Sequence, residues 1–315
     1  MGEGIRPFRQ VGASCLPPRV RVPVTTDFRP AGSPLLPVAA LVAGMVSLQS
    51  GAALAKTLFP VVGASGVSAL RVGFSALILL AVWRPWRRSL PMRDAGWILL
   101  YGVALGLMNL LFYRALLTIP LGPAVAIEFA GPLTVALSAS RRLFDVAWIG
   151  LAVLGLGLLL PLGGAGALDP VGVAYALGAA LAWALYILFG QRAGRAHGGQ
   201  AVSLGMLTAA LVIAPFGLAE AGTALFEPAT LASGLVVAVM SSALPYSLEM
   251  VALRRLDRQV FGVMMSVEPA IASLAAMAIL GERLGPVQWF AIACVIVASV
   301  GITARSRPRP VPGAP

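Results

Sequence analysis

From Pro37 onward the chain alternates between long apolar runs and brief polar breaks. Ten runs reach or approach spanning length: 37–56, 66–83, 95–116, 121–140, 146–161, 170–190, 201–219, 229–252, 259–280 and 286–304. A helix rises about 1.5 Å per residue, so a hydrocarbon core of roughly 30 Å needs about 20 apolar residues. The fifth run is shorter and depends on its flanks. The breaks carry Pro, Gly or charge, as at Trp83–Pro85, Gly163–Pro170 and Glu227–Pro228. The expected fold is therefore an all-α integral membrane protein with ten transmembrane helices. Residues 1–34 differ: they are rich in Pro and Arg and lack the apolar run of a signal peptide. They read as a disordered cytoplasmic tail, or as an upstream extension from a misplaced start codon.

Arginine placement sets the expected orientation. Arg6, Arg9, Arg19, Arg21 and Arg29 lie in the tail, and Arg84, Arg87, Arg88 and Arg93 lie between the second and third runs. Arg141, Arg142, Arg192, Arg195, Arg254, Arg255 and Arg258 fall in later alternate loops, and Arg305, Arg307 and Arg309 in residues 305–315. The opposite loops hold Asp169, Glu220, Glu227 and Glu282, with Arg283 the one base among them. Basic residues collect on the cytoplasmic side, so both termini are expected there.

One short stretch occurs twice. AIEFAGP at Ala126–Pro132 is echoed by SVEPAI at Ser266–Ile271, which places Glu128 and Glu268 in apolar runs 140 residues apart; Gly122 matches Gly262 in the same way. The echo divides the chain into residues 35–162, holding helices 1–5, and residues 163–304, holding helices 6–10. Five is odd, so the second half enters the membrane inverted, and in inverted repeats the site lies at the midplane between them. Glu128 is entered from one face and Glu268 from the other, both about 10–15 Å deep.

Composition narrows the classes. Hydrophobic residues make up 59% of 315, charged residues 11%, and mean hydropathy is +0.90, which excludes an ordinary soluble domain. The net charge of +11 is not a nucleic-acid signal, because no soluble domain carries it. Cys15 and Cys294 are too remote in the expected topology to pair. The single histidine, His197, stands in a Gly-rich loop beside Arg192 and Arg195. Neither a metal site nor a cofactor site is expected, and with short loops no catalytic constellation forms at the membrane surface.

A carboxylate at the centre of a spanning helix costs about 2.5–3.5 kcal/mol on insertion scales, so intramembrane ionisable groups mark pathways. Glu128 and Glu268 are therefore the first candidates for a substrate and proton path. Four bases fall outside the cytoplasmic set: Lys56 (the only lysine), Arg71, Arg114 and Arg283. Helical spacing places Gln49 with Lys56, Ser68 with Arg71 and Ser75, Asn109 with Tyr113, Trp183 with Tyr186, and Tyr246 with Glu249 on shared faces. Several of these groups have a plainer alternative. Lys56 and Arg114 are near helix ends and can snorkel; Glu249 can pair with Arg254 or Arg255; Trp183 and Tyr186 can be packing aromatics. Glu128 and Glu268 can form buried ion pairs with Arg71 or Lys56. Pro123, Pro132, Pro245 and Pro269 interrupt helices beside these groups and free backbone carbonyls. Gly102 and Gly106 form a GxxxG pair for close helix packing.

The stretches SGAALAKTLFP, YGVALGLMNLLFYRALLTIPLGPAVAIEFAGPL, ALAWALYILFGQRAG, SSALPYSLEM and VEPAIASLAAMAILGE resemble the drug/metabolite transporter superfamily, and within it the bacterial inner-membrane threonine/homoserine exporters. The likeness runs from about residue 37 to 304. It implies two EamA-type repeats, 35–162 and 163–304, and efflux of small hydrophilic metabolites. The tail and Arg114, which adjoins Tyr113, depart from the family pattern. The expected cargo is a small zwitterionic amino acid such as threonine or homoserine, moved by alternating access; another small molecule carried by the same fold is the alternative. Burial favours the neutral form of a carboxyl, so proton and cargo ammonium would compete for one glutamate, while Arg71 or Lys56 receives the cargo carboxylate.

Overall fold

A computed structural model describes residues 35–87, 92–138, 145–159, 168–253, 256, 261 and 264–305. The expected N-terminal tail, the C-terminal tail beyond Arg305, and Arg88, Arg141, Arg142, Arg254, Arg255 and Arg258 lie outside these residues. Among the described residues there is no strand. The helices are α1 (Leu35–Thr57), α2 (Phe59–Trp83), α3 (Met92–Ala115), α4 (Leu121–Glu128), α5 (Ala130–Ser138), α6 (Asp145–Leu159), α7 (Pro170–Ala221), α8 (Pro228–Ala238), α9 (Leu244–Leu253), α10 (Glu268–Leu280) and α11 (Pro286–Arg305). Among the described residues, five stretches are long and apolar enough to cross a membrane: Leu35–Thr57, Phe59–Arg87, Asp94–Ala115, Pro170–Ala193 and Gly199–Phe226. Large apolar side chains such as Leu77, Leu181, Leu211, Leu274 and Phe290 are exposed, an outer surface suited to lipid.

Helix starts and stops follow from local chemistry. Asp169 caps α7 by accepting from the Gly172 N–H at 2.9 Å, with Pro170 in the first turn. Gly281, at φ 66°, closes α10 in the left-handed conformation open to glycine. Three apolar runs are interrupted beside the expected prolines, whereas Pro123 lies in the first turn of α4, where its missing N–H breaks no helical bond. Pro132 lacks the N–H that would bond the Glu128 carbonyl, and α4 ends at Glu128. Pro245 likewise removes the bond to Ser241, and the chain widens into a π turn at Val239–Ala243. Pro269 follows a turn and opens α10 one residue after Glu268.

The runs at 170–190 and 201–219 lie within one helical stretch, α7. Gly190 and Gly205 both abut the ring of Tyr101. Fifteen residues of straight helix would separate them by about 22 Å, so the chain folds back between them. α3 lies against both arms. Leu111 meets Gly178 and Ala115 meets Gly172, antiparallel to the first arm; Gly102 meets Thr208 and Gly106 meets Ala209 and Val212, parallel to the second. α2 runs antiparallel to the second arm, with Ala69 on Gly217 and Trp83 on Gly199. α1 packs instead on α9 and the π turn, through Gly44 against the Pro245 carbonyl and Gly51 against Met240 and Ser241, and also on α10. α4 meets α10 where Gly122 faces Ser273, and α6 meets α11 where Gly155 faces Ala291 and Cys294. The largest buried cluster, around Tyr113, Leu116, Ile119, Leu121 and Ile127, fills the space between these pairs.

Candidate functional site

Glu128 and Glu268, the echoed pair, are both buried, at 8% and 4% exposure. They lie on packed helices, Glu128 ending α4 and Glu268 opening α10. Gln49 of α1 donates from Nε2 to Oε1 of Glu268 at 2.8 Å. Oε2 of Glu268 is buried and has no hydrogen-bond partner among the described residues. Glu128 feels the charges of Glu268 and Arg71, and Glu268 feels that of Glu249. Arg71 donates from Nη1 to the Tyr113 hydroxyl at 3.2 Å and from Nη2 to the Ser241 carbonyl at 3.3 Å. That carbonyl is the one Pro245 leaves without its helical donor. The guanidinium carbon also stands 5.6 Å from the centre of the fully buried Tyr113 ring.

The remaining candidates spread away from this group. Asn109 turns back to donate to the Leu105 carbonyl of its own helix at 3.0 Å, and Ser75 does the same to Arg71 at 2.7 Å. Ser68, one turn before Arg71, is fully buried and its hydroxyl has no partner among the described residues. Glu249 is half-buried beside Gly44. Trp183 meets Phe129 edge-on at 5.7 Å, and Tyr186 stacks on Tyr101 at 4.9 Å. The Tyr246 side chain lies outside the described residues, as does that of His197.

Lys56 is engaged elsewhere. Its Nζ pairs with Glu282 Oε1 at 2.7 Å and donates to the Ile119 carbonyl at 3.2 Å, while Glu282 Oε2 accepts from the Leu121 N–H at 2.9 Å. Arg114 reaches Ser65 Oγ at 2.9 Å and Glu220 at 3.3 Å. Glu220 also accepts from the N–H groups of Ala64 and Ser65, both at 3.1 Å. These two donors exist because α2 breaks at Gly63 (φ 69°, ψ 171°) and restarts. A carboxylate from α7 therefore caps a helix start inside α2. Sequence reading placed Glu220 and Glu282 only as loop acids; the one local signal for Glu220 is the glycine at position 63. Among the described residues no group of His, Cys, Asp or Glu is arranged to hold a metal ion. Glu128 thus stands within electrostatic reach of one further buried acid, Glu268, and of the part-buried cation Arg71.

Residues 170–304 match the EamA-like transporter family. The chain is 52% identical over 269 residues to the threonine/homoserine exporter RhtA of Escherichia coli (strain K12), covering 85% of this chain and 91% of that protein. It is 51% identical over 276 residues to the exporter of the same name from Salmonella typhimurium (strain LT2), covering 87% and 94%. One solved crystal structure superposes with a TM-score of 0.56 at 19% identity, over 85% of this chain and 98% of its own, and so shares the fold. With its apolar helices and its buried charges, the chain belongs to the EamA-like family of membrane transporters.

Proposed function

We propose that the protein exports threonine, homoserine or a similar small amino acid across the bacterial inner membrane by alternating access, driven by a proton or cargo gradient. The observation that carries this reading is the pair of buried acids Glu128 and Glu268 inside an apolar bundle, with Glu128 acted on by both Glu268 and the part-buried Arg71. Opposite charges held in one dry place fit a zwitterion, with an ammonium for a glutamate and a carboxylate for Arg71. The names of the relatives at 51–52% identity point to the same cargo. Tyr113, bonded to Arg71, adjoins this group in the proposed path, whereas Asn109, Trp183 and Tyr186 make contacts elsewhere and Lys56 pairs with Glu282.

The reading includes ten spans in two inverted halves, 35–162 and 163–304, with both termini cytoplasmic. The packing pattern supports it. α2 pairs with the second arm of α7, α4 with α10, and α6 with α11, each with its counterpart in the other half. α1 packs on α9 and α10, just as the first arm of α7 packs on α3 and α4. Coupling follows from competition, since a glutamate that holds a proton has no charge for an ammonium.

The test is efflux of labelled threonine and homoserine from proteoliposomes with and without an imposed pH gradient, beside Glu128→Gln. Gradient-dependent efflux that the variant loses is the expected result. Efflux indifferent to the gradient removes the proton coupling, and no efflux of either amino acid removes the proposed cargo.

A further inference from the structure

The two glutamates are related by the sequence echo, yet their surroundings differ. Glu268 has one oxygen occupied by Gln49 at 2.8 Å and the other bare. A buried carboxylate oxygen without a donor is unfavourable, and native proteins rarely leave one. Glu128 has no such arrangement: among the described residues its carboxylate accepts no hydrogen bond, and the cation acting on it is Arg71. Among the described residues, Glu268 feels the charge of the acid Glu249 on α9, and Glu128 on α4 feels that of Glu268. Around Glu268 the acid beside it therefore favours a cation.

Gln49 is well placed to maintain this difference. It is buried at 4% exposure, and α1 is held close on both sides of it. Ser47 donates to the Met240 carbonyl at 2.7 Å, and Gly51 abuts Met240 and Ser241 so closely that a side chain there would meet them at 3.1 Å. With α1 fixed against the π turn, the Gln49 amide has little freedom, and it pins the Glu268 carboxylate in one rotation.

Resting on the export reading, we infer that Glu268 is the residue that receives the cargo ammonium, through Oε2, and that Gln49 is the positioning residue that keeps this oxygen directed to the cargo. The cargo then lies with its ammonium toward α10 and its carboxylate toward Arg71 of α2. Glu128 stays outside the ammonium contact and is left for the proton.

The experiment measures inhibition of labelled threonine efflux in proteoliposomes by two analogues. Threoninol keeps the ammonium and lacks the carboxylate; 2,3-dihydroxybutanoate keeps the carboxylate and lacks the ammonium. Gln49→Met removes the donor at nearly constant length. It should weaken inhibition by threoninol about tenfold, the loss expected for a hydrogen bond to a charged group, and leave inhibition by 2,3-dihydroxybutanoate unchanged. Arg71→Gln should show the reverse selectivity. A merely structural role for Gln49 would weaken both analogues together, and that result overturns the inference. If Gln49→Met does not fold, the exchanged pair Gln49→Glu with Glu268→Gln retains a hydrogen bond between the two positions while moving the charge to α1. Loss of threoninol inhibition in that pair supports the assignment, and its persistence overturns it. If the unaltered protein exports neither threonine nor homoserine, the export reading falls and this inference with it. If it exports and Gln49→Met keeps the wild-type ratio of the two inhibition constants, only this inference falls.

Discussion

Two regions of the bundle are built from the same residue types and use them differently. Toward one end, Lys56 with Glu282 and Arg114 with Glu220 form ion pairs in which each carboxylate also accepts backbone N–H groups. Elsewhere in the bundle Glu128 and Glu268 are buried, and among the described residues one oxygen of Glu268 has no hydrogen-bond partner. The end pairs join α1 to the start of α4 and α3 to the break in α2. Satisfied charges of this kind hold elements together, whereas unsatisfied ones invite a ligand. The distinction rests on partner counts and burial, since charge alone is the same in both places.

Substitutions can break this comparison or sharpen it. The largest effect is expected at the centre. Glu268→Gln should lower threonine efflux by about 10- to 100-fold, the loss of a charge-assisted contact, with normal amounts of protein in the membrane. A substitution at the α2 break comes next. Gly63 occupies a backbone region nearly exclusive to glycine, and an added Cβ would run into the Glu220 carboxylate. Gly63→Ala should cost about 1–3 kcal/mol, read as a lower thermal midpoint in detergent, with efflux per folded molecule preserved.

Smaller effects belong to the end pairs. Lys56 and Glu282 are 22% and 15% exposed. Lys56→Met should destabilise by about 1 kcal/mol, and thermal midpoints of Lys56→Met, Glu282→Gln and the double variant would show the two effects to be non-additive. Arg114 and Glu220 are more exposed, at 33% and 27%, and farther apart. Arg114→Met should cost about 0.5 kcal/mol, because Glu220 keeps its two backbone donors. If Lys56→Met abolished efflux while leaving the thermal midpoint unchanged, the end pair would be part of the transport path and the contrast between the regions would collapse.

Much of this was legible in the sequence, and the illegible parts share a cause. The apolar runs mark where helices form, and the echoed glutamates identify the two buried acids. Pro132, Pro245 and Pro269 stand where the helices break, since a missing N–H acts locally whatever the tertiary context. Pairing was harder to read. Gln49 and Lys56 share a face two turns apart, yet Gln49 meets Glu268 and Lys56 meets Glu282, which flank α10 at its two ends. The partners are more than 200 residues away, and periodicity along one helix carries no information about which acid stands opposite. Glu220 was hidden for the same reason: its role depends on a break in α2 that lies 156 residues earlier than the carboxylate capping it.

The clasp of α3 by the two arms of α7 has a consequence for how the protein is made. Gly102 and Gly106 are filled by Thr208, Ala209 and Val212, and Tyr101 is covered by Gly190 and Gly205. During synthesis α3 leaves the ribosome long before those residues exist, so its close-packing face must wait in lipid until the second half of the chain arrives. The first half alone would have nothing to fill that face. A chain divided near residue 163 should accordingly yield two fragments that are degraded when made separately and persist when made together.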